Sequence, residues 1–149
     1  MEDNRVKNLR AYLFNIIEIL NEHYKQINVN FLSNEIDNYS LDKIPVQKET
    51  ERWITGITIN HDIYSFRSRM NYSADVLSNI NNIGFFEEFE KIIKQKNEKK
   101  ELPDIKGIQA IRCLNCGTMN HAGTNTAEFD IQIEIEYIED MAEEIIISL

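Results

Sequence analysis

The chain has 149 residues, of which 42% are hydrophobic and 28% charged, proportions typical of a folded soluble domain. This length predicts one domain, residues 1–149, large enough to bury a core without disulfide bonds. The net charge of −9 argues against tight binding to a phosphate backbone unless the few basic groups cluster. No apolar run approaches the length of a membrane span, and the first ten residues lack the features of a signal peptide. We therefore expect no membrane partner, and a protein that is made and kept in a cytoplasm or in something assembled there.

The first predicted element is a helix from about Asn4 to Tyr24. Apolar residues recur at three- and four-residue steps, which places them on one face of the helix. They are Val6, Leu9, Leu13, Ile16, Ile17, Leu20 and Tyr24. Phe14 and Ile19 lie off this face, so either a wider core contact or a neighbouring subunit is expected on the second side.

Short extended segments follow. Residues 27–31 alternate apolar residues with asparagines, residues 34–40 are predicted to be a polar connection, and Pro45 restricts the segment 41–46 to a sheet edge. A hairpin with its turn at Thr55–Gly56 leads into a long strand that begins at Ile57. In that strand the apolar residues change parity near His61–Asp62, which predicts a bulge or a strand bent across two environments.

Ser73 is predicted to cap a second helix, and Gly84 to break or bend it. The helix carries apolar residues before the glycine and an aromatic-rich stripe after it. The apolar residues are Val76, Leu77, Ile80 and Ile83 before the glycine, and Phe85, Phe86, Phe89, Ile92 and Ile93 after it. Its lysine-rich end is interpreted as a solvated helix terminus, and Leu102–Pro103 ends the element.

A strand from Ile108 to Leu114, a polar loop from Asn115 to Thr126 and a final strand complete the pattern. The final strand has an apolar face and an acidic face, because its apolar and polar residues alternate. The apolar face consists of Phe129, Ile131, Ile133, Ile135 and Tyr137. Together the elements predict an α+β fold in which a mostly antiparallel, twisted sheet packs against two or three helices.

No pattern in the chain indicates an enzyme, a cofactor or a metal site. Nucleophile elbows and Gly-rich phosphate loops do not occur. Arg67 and Arg69 share a strand face, where pairing with neighbouring acids is expected rather than phosphate binding. Cys113 and Cys116 form a C-x-x-C pair near His121, but a structural zinc normally has four ligands and a redox pair opens a helix. A small metal- or thiol-dependent regulatory protein is therefore kept only as a remote alternative.

The ordered set of motifs resembles a family of small proteins from phages of Gram-positive hosts, labelled minor capsid proteins and related to tail terminators (tail-completion proteins). The motifs are Val29-Asn30-Phe31-Leu32, Tyr39-Ser40, Ile44-Pro45, Trp53-Ile54-Thr55-Gly56, Phe66-Arg67-Ser68-Arg69, Tyr72-Ser73-Ala74-Asp75, Ile83-Gly84-Phe85-Phe86-Glu87-Glu88-Phe89, Leu102-Pro103 and a closing strand from Ala127 to Tyr137. Two features depart from the family pattern, Ile92–Ile93 in place of an aromatic and the C-x-x-C segment.

The resemblance implies a tail-terminator-like fold and a structural role in a phage or a phage-tail-like bacteriocin. Such a protein is a ring subunit, usually one of six, at the head-proximal end of the virion tail. Its implied partners are other copies of itself, the tail tube protein, the sheath protein where the tail has one, and the head-side neck or connector protein. DNA would pass through the ring as cargo, without binding to it. Another head–tail connector or tail-joining protein is the alternative within the same particle.

Three segments are the candidate contact sites of such a subunit. An acidic strand face is predicted to line the bore, because like charge keeps DNA from sticking; it consists of Asp130, Gln132, Glu134 and Glu136. An apolar chain end is predicted to contact the neighbouring subunit, with strand addition at exposed sheet edges; it consists of Ile145, Ile146, Ile147 and Leu149. A polar loop is predicted to dock into an adjacent ring; it includes Asn115, Met119, Asn120 and His121.

Overall fold

The structure, a computed structural model, describes residues 4–20, 26–33, 36, 38–71, 76–115, 117–122 and 126–140. These residues form the α+β fold that the sequence predicts, with two helices and a mixed, mostly antiparallel sheet of seven strands. In chain order the elements are α1 (Asn4–Leu20), β1 (Gln26–Val29), β2 (Asn38–Ile44), β3 (Glu49–Arg52), β4 (Ile57–Asn71), α2 (Val76–Glu98), β5 (Ile108–Cys113), β6 (Thr118–Ala122) and β7 (Thr126–Asp140).

The sheet is built around β4 and β7, two 15-residue strands that pair antiparallel along their whole length. β2 and β3 lie end to end along the other side of β4, while β5 and β6 lie end to end along the other side of β7. β1 extends the sheet beside β2 in a parallel pair. At the level of β1 and β6 the order across the sheet is therefore β1-β2-β4-β7-β6.

Both helices pack against one face of the sheet, called here the inner face. The alternation of β7 places Ile131, Ile133, Ile135 and Tyr137 on that face, as the sequence predicts, and the apolar stripes of the helices meet them. The helices contribute Leu9, Leu13, Ile16, Ile17, Phe86, Phe89 and Ile93 to the buried core. Stacked rings link sheet and helix, since Phe66 lies 5.5 Å from Tyr39 and 5.3 Å from Phe89 between ring centroids.

Helix side chains form hydrogen bonds with main-chain groups at two sheet edges. Arg10 Nε donates to the carbonyl oxygen of Ile27 in β1 at 2.7 Å, and the main-chain N–H of Ile111 in β5 donates to Asn97 Oδ1 at 3.0 Å. Such groups would otherwise be available to pair with another strand. Strand addition is therefore blocked at these two positions.

The parity change in β4 does not come from a bulge in its pairing with β7. β4 pairs with β7 in unbroken register from Ile57 to Asn71. The inner-face positions Thr58, Asn60 and Asp62 are polar and buried, so the polarity of the inner face changes along the strand.

Three other predictions differ from the structure. The predicted connection 34–40 already contains the start of β2, which begins at Asn38 and ends at Ile44, before Pro45. Gly84 does not break α2, because the helix is continuous through it and open space surrounds the position. The predicted loop from Asn115 contains β6, which extends the sheet along the part of β7 that β5 leaves unpaired. The hairpin turn at Gly56 is confirmed, with a φ of 92° and an N–H that donates to Trp53 O at 3.0 Å.

Candidate functional site: the outer face and rim of the sheet

The four predicted bore-lining residues lie in one row on the outer face of the sheet, opposite the helices. Asp130, Gln132, Glu134 and Glu136 alternate with the buried residues of β7 and are all partly buried. Across the strand pair they face Arg67, Ser65, Ile63 and His61 of β4, in that order. The structure thus brings the predicted set together and places cations and polar groups beside it.

Arg67 holds the β2 side of this face together. Its Nη1 donates to Glu128 Oε1 at 2.9 Å, and its Nε forms an ion pair with Asp42 of β2. Burial opposes the charge of Arg67, but the hydrogen bonds to Glu128 and Asp42 outweigh it and raise the pKa of the guanidinium. The expectation that Arg67 pairs with neighbouring acids is confirmed. Arg69 instead donates from Nε to the carbonyl oxygen of Ser33 at 2.8 Å.

The other end of the face is organised by Arg112 of β5. Its Nη1 lies 2.7 Å from Glu134 Oε1 and 3.5 Å from Glu136 Oε2. His61 Nδ1 lies 3.1 Å from the second oxygen of Glu134. Together with Ser65, which donates to Asp130 at 2.9 Å, these contacts give the acidic row partners within the subunit. The face is therefore less negative than the sequence suggests.

No protein-family model and no curated protein matches the chain. The family resemblance therefore remains a prediction, and the surfaces of the molecule have to support any functional proposal.

The predicted docking loop is a short edge strand, not a free loop. Asn115 is tied to β7, because its Oδ1 accepts a hydrogen bond from the main-chain N–H of Gln132 at 2.8 Å. Gly117 has a φ of 61°, and a Cβ there would lie 2.5 Å from the Phe86 ring, so the main chain passes closely against α2. Met119 and Asn120 remain exposed in β6, while the side chain of His121 lies outside the described residues. The segment carries no alternation of apolar residues that would have predicted a strand.

Several residues of the predicted sites and elements lie outside the described residues. They are Ile145, Ile146, Ile147 and Leu149, the predicted helix cap Ser73, and Cys116. Cys113, the last residue of β5, is half-buried. In the described part of the chain, no three His, Cys, Asp or Glu side chains form a group that could hold a metal ion. Neither described helix is both long enough and apolar enough to span a membrane.

Sequence reasoning missed a pair of exposed apolar side chains at the tip of the β3–β4 hairpin. Ile54 is fully exposed and Trp53 is 47% exposed. The hairpin is closed by Trp53 N–H, which donates to Ile57 O at 2.8 Å, and the indole N–H donates to Glu51 at 3.0 Å. The signal in the sequence was an apolar pair directly before the Thr55–Gly56 turn, where polar residues are usual.

A second missed site lies on the inner face around Asp62, which is fully buried. Arg5 Nε donates to Asp62 Oδ2 at 2.9 Å, and the hydroxyls of Tyr64 and Tyr137 donate to the same carboxylate at 3.2 and 3.1 Å. Lys43 Nζ lies 3.9 Å away. Burial, and then the charge of Asp62, raises the pKa of Tyr137. Because the partners come from α1, β2, β4 and β7, this cluster joins the first helix to the sheet.

Proposed function

We propose that the chain is a structural subunit of a phage tail or a phage-tail-like bacteriocin, and that identical copies form a ring that caps the tail tube. In this role it is a tail terminator that joins the tube to the head-side connector. The proposal combines the ordered family motifs with the distribution of exposed apolar side chains on the sheet. The distribution of these side chains is the observation that supports it most.

Exposed apolar side chains lie at both edges of the sheet, at the same level. At the β1 edge they are Val29 and Phe31, with Phe31 63% exposed; at the β6 edge they are Leu114 and Met119, with Met119 46% exposed. The edges belong to opposite ends of the row β1-β2-β4-β7-β6. Exposed apolar side chains that lie next to one another mark interaction sites more often than isolated ones do.

Two different patches on opposite sides of a subunit suit a head-to-tail contact, in which one edge of each copy meets the other edge of its neighbour. Such heterologous contacts close into a ring when the rotation between copies allows it. At the β1 edge the contact would be made by side chains rather than by strand addition at Ile27, since Arg10 occupies the main-chain carbonyl oxygen of that residue.

The hairpin tip offers a contact in a second direction. It lies beyond the last β4–β7 pair, Ile57 with Asp140, and so at the end of the long strands instead of at an edge. In a ring built edge to edge, Trp53 and Ile54 would face the layer above or below. We assign them to the contact with the tail tube or the connector.

The row of Asp130, Gln132, Glu134 and Glu136 remains the proposed bore surface. Because Arg112 and His61 contact Glu134, and Arg112 also contacts Glu136, the bore would repel DNA less strongly than unpaired carboxylates would. In such a bore the basic side chains would be paired with glutamates, and few of them could bind the phosphates of passing DNA.

The experiment is to measure the mass of the purified full chain in solution by light scattering and to image it by negative-stain electron microscopy. We expect rings in the wild type and binding to isolated tail tubes. Met119→Glu should dissociate the ring, because it places a charge in the edge contact, whereas Ile83→Glu, a change at an exposed position on α2, should leave the ring intact.

A protein that stays monomeric at high concentration and fails to bind tail tubes would contradict the proposal. If rings form, their axial position in an intact particle separates a tail terminator from another connector or tail-joining protein. Ring loss in Ile83→Glu but not in Met119→Glu would move the contact from the sheet edge to α2.

A further inference from the structure

The imidazole of His61 lies between two hydrogen-bond acceptors. Its Nδ1 is 3.1 Å from Glu134 Oε2, and its Nε2 is 3.0 Å from the main-chain carbonyl oxygen of Gln47. A neutral imidazole has one N–H and can donate to only one of these oxygens. The protonated ring has two N–H groups and can donate to both. Both contacts are therefore hydrogen bonds only when the ring and Glu134 together hold an additional proton.

This ring joins β7 to residues 45–48, the connection between β2 and β3. The main-chain N–H of His61 also donates to the same connection, at Lys48 O, over 2.8 Å. That second link does not depend on the charge of the ring. The connection continues directly into β3 and the Trp53–Ile54 tip, so the side-chain link helps to determine how firmly the start of the hairpin is held.

Charged side chains approach this site from each neighbouring element. They are Glu134 and Glu136 of β7, Arg112 of β5, Glu49 and Glu51 of β3, and Lys48 of the connection. Arg112 contacts both glutamates of β7, Glu49 pairs with Arg52, and Glu51 accepts from Trp53. Lys48 lies over the Tyr137 ring, on the inner face. Glu134 is thus the carboxylate in contact with the imidazole.

The pair is largely shielded from water, since the side chain of His61 is 21% exposed and that of Glu134 is 19% exposed. Hydrogen bonds that involve an ionised group are stronger than neutral ones, and more so away from bulk water. The protonated ring therefore forms two charge-assisted hydrogen bonds, one to Glu134 and one to the carbonyl oxygen of Gln47.

We propose that His61 is a proton-dependent clamp that fixes the 45–48 connection to β7 when the ring is doubly protonated and releases one of the two contacts when the proton is lost. One of the two contacts is lost when the ring loses a proton, so the connection is held less firmly at higher pH. This inference goes beyond the proposed function and does not depend on it, since it concerns a single subunit.

The test is amide hydrogen exchange of residues 45–52 at about pH 5.5 and about pH 8, corrected for the intrinsic exchange rate. In the wild type we expect about tenfold lower protection at the higher pH, the effect of losing one hydrogen bond to a charged group. Nitrogen-15 NMR of the ring should show both nitrogens protonated at the lower pH.

Glu134→Gln gives the sharpest comparison. Its amide N–H₂ can donate to Nδ1 of a neutral ring, while Nε2–H still donates to Gln47 and the amide oxygen still accepts from Arg112. This variant should keep high protection at both pH values. His61→Phe should show low protection at both pH values.

Protection of the central β4–β7 amides, such as that of Ile133, reports whether each variant is folded. Equal protection of residues 45–52 at both pH values in the wild type would overturn the clamp. So would an unchanged pH dependence in Glu134→Gln, because the proton would then act somewhere other than between these two side chains.

Discussion

β4 and β7 present ionised side chains on both faces of the sheet, and the two faces hold them differently. On the inner face Asp62 is fully buried and contacts Arg5 and two tyrosine hydroxyls. On the outer face Glu134 is partly exposed and contacts Arg112 and His61. The distance from carboxylate to guanidinium is similar, 2.9 Å against 2.7 Å, so exposure to water is what separates the two pairs.

The difference matters because the interaction between two charges grows as water is excluded, and so does the cost of leaving one of them alone. Asp62 is therefore expected to act as a fixed structural joint between α1 and the sheet. The partner of Glu134, Arg112, is 43% exposed, so this ion pair can be broken at less cost.

The largest effect is expected from Arg5→Ala, which leaves Asp62 buried without its guanidinium partner. Breaking a buried pair from one side typically costs about 3–5 kcal/mol, and the partial exposure of Arg5 places this variant near the lower end. Urea unfolding would measure the loss in the free energy of unfolding. Lys7→Ala, on an exposed position of the same helix, should change that free energy by less than about 0.5 kcal/mol. A loss for Arg5→Ala as small as that of Lys7→Ala would show that α1 is held by its apolar face alone.

Local periodicity predicted the parts of the fold that neighbours along the chain determine. The alternation of β7, the stripe of α1 and the hairpin turn at Gly56 all follow from residues within a few positions of one another. Confirmation of these elements also confirmed the fold class, because an antiparallel sheet with helices on one face follows from their order.

Long-range polar contacts could not be predicted in the same way. Arg5 and Asp62 are 57 positions apart, and a buried aspartate has the same sequence pattern as an exposed one, so the polar inner face of β4 was taken for a bulge. The acidic row of β7 was recognised as one face, but its partners Arg112 and His61 come from strands whose register the sequence does not specify. β6 was missed because its pairing depends on the unpaired length of β7, not on its own composition.

An intermediate effect is expected from Tyr137→Phe, which removes one hydroxyl donor from Asp62 and leaves Arg5 in place. The loss should be about 1–2 kcal/mol in the free energy of unfolding at neutral pH. Burial and the charge of Asp62 raise the pKa of Tyr137 in the folded state, so its contribution is complete below the unfolded value of about 10 and is lost as the pH rises toward the higher folded value.

Wild-type stability should therefore fall above about pH 10, and Tyr137→Phe should reduce the slope of that fall. Tyr12→Phe should also reduce the slope, because burial and then the charge of Glu101 raise the pKa of Tyr12 to about 12. Identical alkaline slopes in the wild type and Tyr137→Phe would mean that folding does not raise the pKa of the Tyr137 hydroxyl.

The smallest effect is expected from Arg112→Ala on the outer face. Arg112 is 43% exposed, and exposed ion pairs typically contribute about 0–1 kcal/mol, so the loss in the free energy of unfolding should be several times smaller than for Arg5→Ala. The loss should also disappear near 1 M salt, where the Debye length is about 3 Å, whereas the loss for Arg5→Ala should persist. Lys94→Ala, an exposed change on α2, controls for the removal of a positive charge from an acidic protein. If Arg112→Ala proved as costly as Arg5→Ala and insensitive to salt, the outer face would be as rigid as the inner one, and exposure would not be what distinguishes them.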